Sequence, residues 1–220
     1  DTTTYPEGTG LFISQARDLQ DLPVVAWYDR SEGQLWWSRM VEAGFTEPEM
    51  LAGWGHPDPD RDGDMGANVN LWIDGDGNAH LCYQDGMTDS LRYLSPELDR
   101  DEWVDDGVWL DVGGRGYSVH VVGDDCTVRL DPDGAPLIVY QDATLHALLL
   151  RRRTLSLEGA AELTWAGRRA LRGDMPNQPG EAGFYASAVV VEDQVWATHY
   201  VYDNSGDSPV YRLEFVVQDL

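Results

Sequence analysis

The chain has 220 residues, 39 acidic against 15 basic, for a net charge of −24. That balance excludes nucleic-acid phosphates and anionic membrane surfaces as main partners, because both need Lys or Arg. A hydrophobic content of 42% with 23 Gly, 11 Pro, 9 Trp and 10 Tyr is enough for a sizeable core and favours an all-β chain rich in turns.

No apolar run reaches the roughly 18 residues that a membrane helix needs. The chain opens Asp-Thr-Thr-Thr-Tyr, without Met, and reads as a mature or trimmed segment of an exported protein. Residues 1–6 form a short extended segment. Gly10 then leads into an apolar strand A that ends at Asp18. Strand B is Val24 to Tyr28, closed by Asp29, and strand C is Leu35 to Arg39. Trp54 marks a fourth strand, and the Pro-, Gly- and acid-rich residues 43–63 read as an inter-blade loop.

The outline recurs three times. The second copy runs from Gly66 through Asp74 and Ala79–Tyr83 to Asp85, Leu91–Leu94 and Trp103. The third runs from Gly123 through Asp131 and Leu137–Tyr140 to Asp142, Leu148–Leu150 and Trp165. The fourth aligns Glu192, Trp196–Tyr202, Asp203 and Val210–Leu213, with Gly183 one residue out of step and residues 172–182 as another loop. Spacings between the second acids, Asp29, Asp85, Asp142 and Asp203, are 56, 57 and 61 residues. Four antiparallel strands per copy with an aromatic anchor point to a β-propeller of four four-stranded blades, complete or part of a larger one. An antiparallel sandwich is the competing fold. The blades run roughly 7–55, 56–110, 111–173 and 174–220 within one domain. Residues 1–6 would supply the missing strand of the last blade, or another chain would close the array, since open sheet edges are avoided.

The copies resemble the repeats of secreted bacterial β-propellers of the broad sialidase-like type. Asp74, Gly77, Tyr83, Asp85, Leu91 and Tyr93 match that outline, as do Asp131, Gly134, Pro136, Tyr140, Asp142 and Leu148. The Ser-x-Asp-x-Gly-x-x-Trp box of true sialidases is absent from the sequence. The resemblance implies architecture and argues against glycosidase chemistry.

Two carboxylate sets are candidate sites. Asp29, Asp85, Asp142 and Asp203 end the B strands and would gather on one face, as a ring for a cation or a cationic ligand, or would each cap their own B–C turn. Asp58, Asp60, Asp62 and Asp64 form an Asp-x-Asp-x-Asp-Gly loop whose alternate carboxylates suit calcium. Val69 stands where an EF-hand would place its bidentate Glu, so a full EF-hand is rejected. Trp27, Trp36, Trp37, Trp72 and Trp196 are either a carbohydrate-stacking surface or packing between blades. Cys82 and Cys126 fall in neighbouring copies and are either a disulfide or buried small hydrophobes.

No catalytic residue stands out, since the five His lack metal-type spacing and no nucleophile elbow or phosphate loop is present. The expected function is that of a non-catalytic, calcium-stabilised, extracellular or cell-surface binding module. It would recognise a glycan or protein through the face carrying the B–C turns and loops 55–66, 111–123 and 173–184. A sialidase-like glycoside hydrolase is the first alternative, and a structural subunit of a larger assembly the second.

Overall fold

A computed structural model describes residues 8–110, 117–155, 163–173 and 180–220. Four antiparallel sheets follow one another along the chain, each built in order from its innermost strand outward. Blade 1 contains β1 (Thr9–Arg17), β2 (Pro23–Asp29), β3 (Gln34–Val41), β4 (Gly44–Phe45) and β5 (Glu49–Gly53). A single 3-10 turn, Pro59–Arg61, leads into blade 2: β6 (Met65–Ile73), β7 (Ala79–Asp85), β8 (Ser90–Ser95) and β9 (Arg100–Asp105). A two-stranded ribbon, β10 (Val108–Leu110) with β11 (Tyr117–Val119), precedes blade 3. Blade 3 contains β12 (Val122–Leu130), β13 (Pro136–Asp142), β14 (Ala147–Leu155), β15 (Leu163–Trp165) and β16 (Arg169–Arg172). Blade 4 has three described strands, β17 (Glu181–Val191), β18 (Gln194–Asp203) and β19 (Val210–Asp219).

The A–B hairpins explain why the acids recur. Asp74 accepts the Asp76 and Asn78 amides, and Asp131 accepts those of Asp133 and Ala135. An Asx-type cap of this kind fixes each turn without a partner from elsewhere. Blade 4 replaces the five-residue connection of the other blades with a two-residue turn, Glu192-Asp193, between Val191 and Gln194.

Each inner strand is kinked at the same place. Gly10, Gly66, Gly123 and Gly183 have positive φ, and two residues on so do Phe12, Asn68, Asp125 and Tyr185. The ladders with β2, β7, β13 and β18 shift register at these points, as a bulge requires. Glycine is needed there for approach as well as for φ. A Cβ on Gly66 would lie 2.8 Å from Leu35 Cβ of blade 1, and one on Gly183 would lie 2.9 Å from Gln141 Cγ of blade 3. At Gly10 a Cβ would meet, among the described residues, only Ile13 of the same strand.

This register corrects the alignment of the fourth copy. Gly183 stands in step with the other three glycines. Phe184 pairs with Tyr200 as Ala67 pairs with Gln84 and Asp124 with Gln141. The position matching Asp85 and Asp142 is therefore Val201, and Asp203 lies two residues farther along. Residues 43–63 are corrected too: Glu49–Gly53 is a strand of blade 1, paired with β3, and Trp54 follows it directly. The pairing expected for residues 1–6 lies outside the described residues.

The core is divided into three slabs, one per junction between successive blades. Blades 1 and 2 enclose Val24, Leu35, Leu71 and Leu81; blades 2 and 3 enclose Tyr93, Val122, Ile138 and Tyr140; blades 3 and 4 enclose Leu137, Leu148, Val195 and Ala197. The four sheets fan about one axis, and among the described residues no fourth slab joins blade 4 to blade 1. A disulfide, Cys82 in β7 to Cys126 in β12, ties blade 2 to blade 3 across 44 positions of sequence. Between the same blades, Asp105 accepts the buried Tyr140 hydroxyl at 2.5 Å and the half-buried Arg168 guanidinium at 2.6 Å. Burial, with the neighbouring Asp105, pushes the Tyr140 hydroxyl far above its ordinary pKa, so it stays a donor.

Candidate functional site

The kinked inner strands wall a cavity of about 210 Å³ on the axis of the fan. Blade 1 contributes Phe12, Ile13 and Ser14, blade 2 contributes Asn68, Val69 and Asn70, and blade 3 contributes Asp125, Cys126 and Thr127. Ala186 and Ser187 of blade 4 complete it. The bulges put Asn68 and Asp125 in left-handed backbone conformations, with φ of 56° and 48°. Strain of this sort collects at functional sites.

Polar groups run around the cavity from blade to blade. Asn68 Nδ2 donates to Asp124 Oδ1 at 2.9 Å, and the Tyr185 amide donates to Asp125 Oδ2 at 2.7 Å. Four residues after each repeat glycine stands a small polar side chain. Ser14 Oγ accepts the Leu71 amide at 2.9 Å, and Asn70 Oδ1 accepts the Val128 amide at 3.1 Å. Thr127 Oγ1 donates to the Ala186 carbonyl at 3.1 Å, and Ser187 is the blade 4 counterpart. Burial raises the Asp124 carboxyl above its ordinary pKa, and Asp125 and Asp89 add to the effect. Burial also raises Asp125, against the hydrogen bond from Tyr185. Asp125 lines the cavity and Asp124 is its chain neighbour, and carboxyls with raised pKa can hold a proton or accept hydroxyl donors.

The acids chosen from sequence do not line this cavity. Asp29 accepts the Ser31 amide, Asp85 that of Met87, Asp142 those of Thr144 and Leu145, and Asp203 that of Ser205. Each carboxylate holds its own B–C turn. Asp142 also meets His120 Nδ1 at 3.0 Å, and Asp203 meets Arg212 at 3.0 Å. In the 58–64 loop, Asp58 caps the 3-10 turn through the Asp60 amide, and Asp62 accepts the Gly55 amide. Asp64 accepts the Tyr28 hydroxyl at 2.5 Å. The Asp64 carbonyl accepts the Gly86 amide, which sets this loop beside the Asp85 turn. Among the described residues no three His, Cys, Asp or Glu side chains gather as metal ligands.

The tryptophans divide. Trp37 is buried and donates to Glu49, whereas Trp72 is partly exposed with Arg129 stacked at 4.7 Å from its ring. Sequence reasoning passed over Asn68, Asp124, Asp125 and Ser187. Their signal was a fixed offset from the repeat glycine, which becomes visible once a bulge is assigned there.

Among the described residues no helix is long and apolar enough to cross a membrane. No family model matches the chain, and no curated protein matches it by sequence. Neither the sialidase type nor a bacterial origin therefore gains support from sequence relatives. Solved structures do match in fold. An α-L-arabinanase from Penicillium chrysogenum, complexed with arabinobiose, superposes with a TM-score of 0.61 at 10% identity, over 96% of this chain and 63% of that one. An α-L-arabinofuranosidase from Fusarium graminearum, in complex with an iminosugar inhibitor, gives 0.59 at 7% identity, over 96% and 62%. The chain thus spans less than two thirds of the length of either structure. The fold they share with it is the β-propeller.

Proposed function

We propose that the chain binds carbohydrate in the axial cavity, as a recognition module without turnover. The cavity itself carries the reading: about 210 Å³, the scale of a single sugar ring, lined by the amides Asn68 and Asn70, the Asp125 carboxyl, and the Thr127 and Ser187 hydroxyls beside apolar Phe12 and Ile13. Sugar hydroxyls need such mixed donors and acceptors, and sugar C–H faces need apolar wall. The arabinobiose and iminosugar in the two fold relatives support a sugar as the ligand class. Calorimetric titration with arabinobiose and a panel of monosaccharides tests it. Binding weakened at least ~10-fold by Asn68→Ala is the expected result. No heat with any member of the panel overturns the proposal.

A hydrolase is the second reading, favoured by the raised carboxyls of Asp124 and Asp125. A protonated carboxyl is what a glycosidase uses as its acid. Release of nitrophenol from an aryl arabinofuranoside, abolished in Asp125→Asn, would replace binding with turnover. Calcium at Asp58, Asp60, Asp62 and Asp64 remains a proposal in its own right, and it requires Asp58 and Asp62 to turn from backbone amides and Asp64 from the Tyr28 hydroxyl. The disulfide suits an oxidising, extracellular setting, which is where we place the chain.

A further inference from the structure

The hydrogen bonds already made around the axial cavity decide what its wall can still offer. Asn68 engages Nδ2 with Asp124, so Oδ1 is left as an acceptor. Asp125 takes the Tyr185 amide on Oδ2, and Oδ1 is left. Thr127 donates its proton to the Ala186 carbonyl and keeps its lone pairs. All three acceptors belong to blades 2 and 3, and all three residues line the cavity. Two donors accompany them. Ser14 accepts the Leu71 amide and keeps its proton. Asn70 Oδ1 is taken by the Val128 amide and by Arg129 Nη1 at 3.3 Å, which leaves Nδ2.

The charge is one-sided as well. Among the described residues no Arg or His lines the cavity, and the sequence contains no Lys. Arg129 touches Asn70, but its guanidinium stacks on Trp72 and its Nη1 also donates to the Val128 carbonyl at 2.6 Å. On the described wall the Asp125 carboxylate therefore meets a backbone amide and no counter-ion. Burial disfavours its charged form, and Asp124 is under the same pressure with Asp89 nearby. A cation arriving in the cavity relieves that cost. An ammonium carries donors and no acceptor, so it complements a carboxylate flanked by further acceptors, and its bond to Asp125 is charge-assisted. Phe12 and Ile13 meanwhile offer an apolar wall to the C–H face of a ring. On the carbohydrate reading above, we propose that the ligand is an amino sugar. Its ammonium lies on Asp125 with Asn68 and Thr127, and its hydroxyls meet Ser14 and Asn70.

Calorimetric titration of the chain with glucosamine, galactosamine and mannosamine, each against its parent hexose, isolates the charge, because ring and remaining hydroxyls are the same. At least one amino sugar should bind at least ~10-fold more tightly than its parent. Asp125→Asn keeps an acceptor for the Tyr185 amide and removes the charge, so the ratio of amino sugar to parent affinity should fall to about one. Parents that bind as tightly as their amino forms overturn this proposal and leave the carbohydrate reading standing, and that comparison needs no variant. Ethanolamine binding as tightly as the amino sugar overturns it too, since the ring would then contribute nothing. An advantage that survives in Asp125→Asn, with the circular dichroism spectrum unchanged, overturns the placement of the ammonium. No heat with any sugar overturns both readings together.

Discussion

Reduction of the Cys82–Cys126 disulfide should lower stability by about 4 kcal/mol, the loop-closure entropy that a crosslink removes from an unfolded chain at this spacing. The sulfurs lie in the slab between blades 2 and 3, where Cys82 is 0% and Cys126 4% exposed. Two free thiols fill that space as well as the bonded pair, so packing changes little and the entropy term stands nearly alone. A chain of 220 residues loses about 2–4 °C of midpoint per kcal/mol, which gives a fall of roughly 10 °C. Thermal melts with and without dithiothreitol, each paired with a thiol titration in denaturant, measure the effect. The oxidised protein should show no free thiol. A fully reduced protein melting at the oxidised midpoint would refute the reasoning, because the crosslink would then constrain nothing in the unfolded ensemble.

Three further outcomes are expected. In Asp124 burial raises the folded-state carboxyl above its unfolded value, so its charge costs stability as pH climbs through that range and nothing well below it. Asp124→Asn should therefore stabilise at pH 7, by under ~1 kcal/mol after solvent screening, with the gain vanishing in acid; a gain that grows on acidification would contradict this. Burial tends to raise Asp74 as well, but bonds from Asn78, His80 and Asp76 outweigh it and hold the carboxyl at about 2. Asp74→Ala should cost about 2–3 kcal/mol at neutral pH in urea unfolding, and the deficit should shrink as pH falls below the unfolded carboxylate value. For the proposed calcium loop, excess calcium should raise the unfolding midpoint above that in EDTA, and equal midpoints would remove the metal from the account.

Strand order and blade number were legible because period-2 apolar runs and turn-capping acids repeat in sequence. Asp74 and Asp131 announced their hairpins correctly, since an Asx cap is a local device. The same regularity misled in the fourth copy. There a shorter A–B turn and a longer B strand shift Asp203 two places from its counterparts, and identity of residue type concealed it. Asn68 and Asp125 escaped notice because a bulge decides which way a side chain faces, and composition does not encode a bulge. The exposed rows of β18 and β19 read in sequence as ordinary alternation. Whether a neighbouring sheet covers them is a property of the assembled fan.

Three slabs holding four sheets also set how the molecule comes apart. Stability in a linear array is a sum over neighbours, so blades 2 and 3, each clasped on both faces and stapled to one another, form the last part to open. Among the described residues, blades 1 and 4 each rest on a single junction. Amide exchange should accordingly be slowest in β7 and β13 and fastest in β1 and β19. The axial cavity draws on both ends of that gradient through Phe12 and Ser187, so whatever fills it ties the loosest sheets to the firmest.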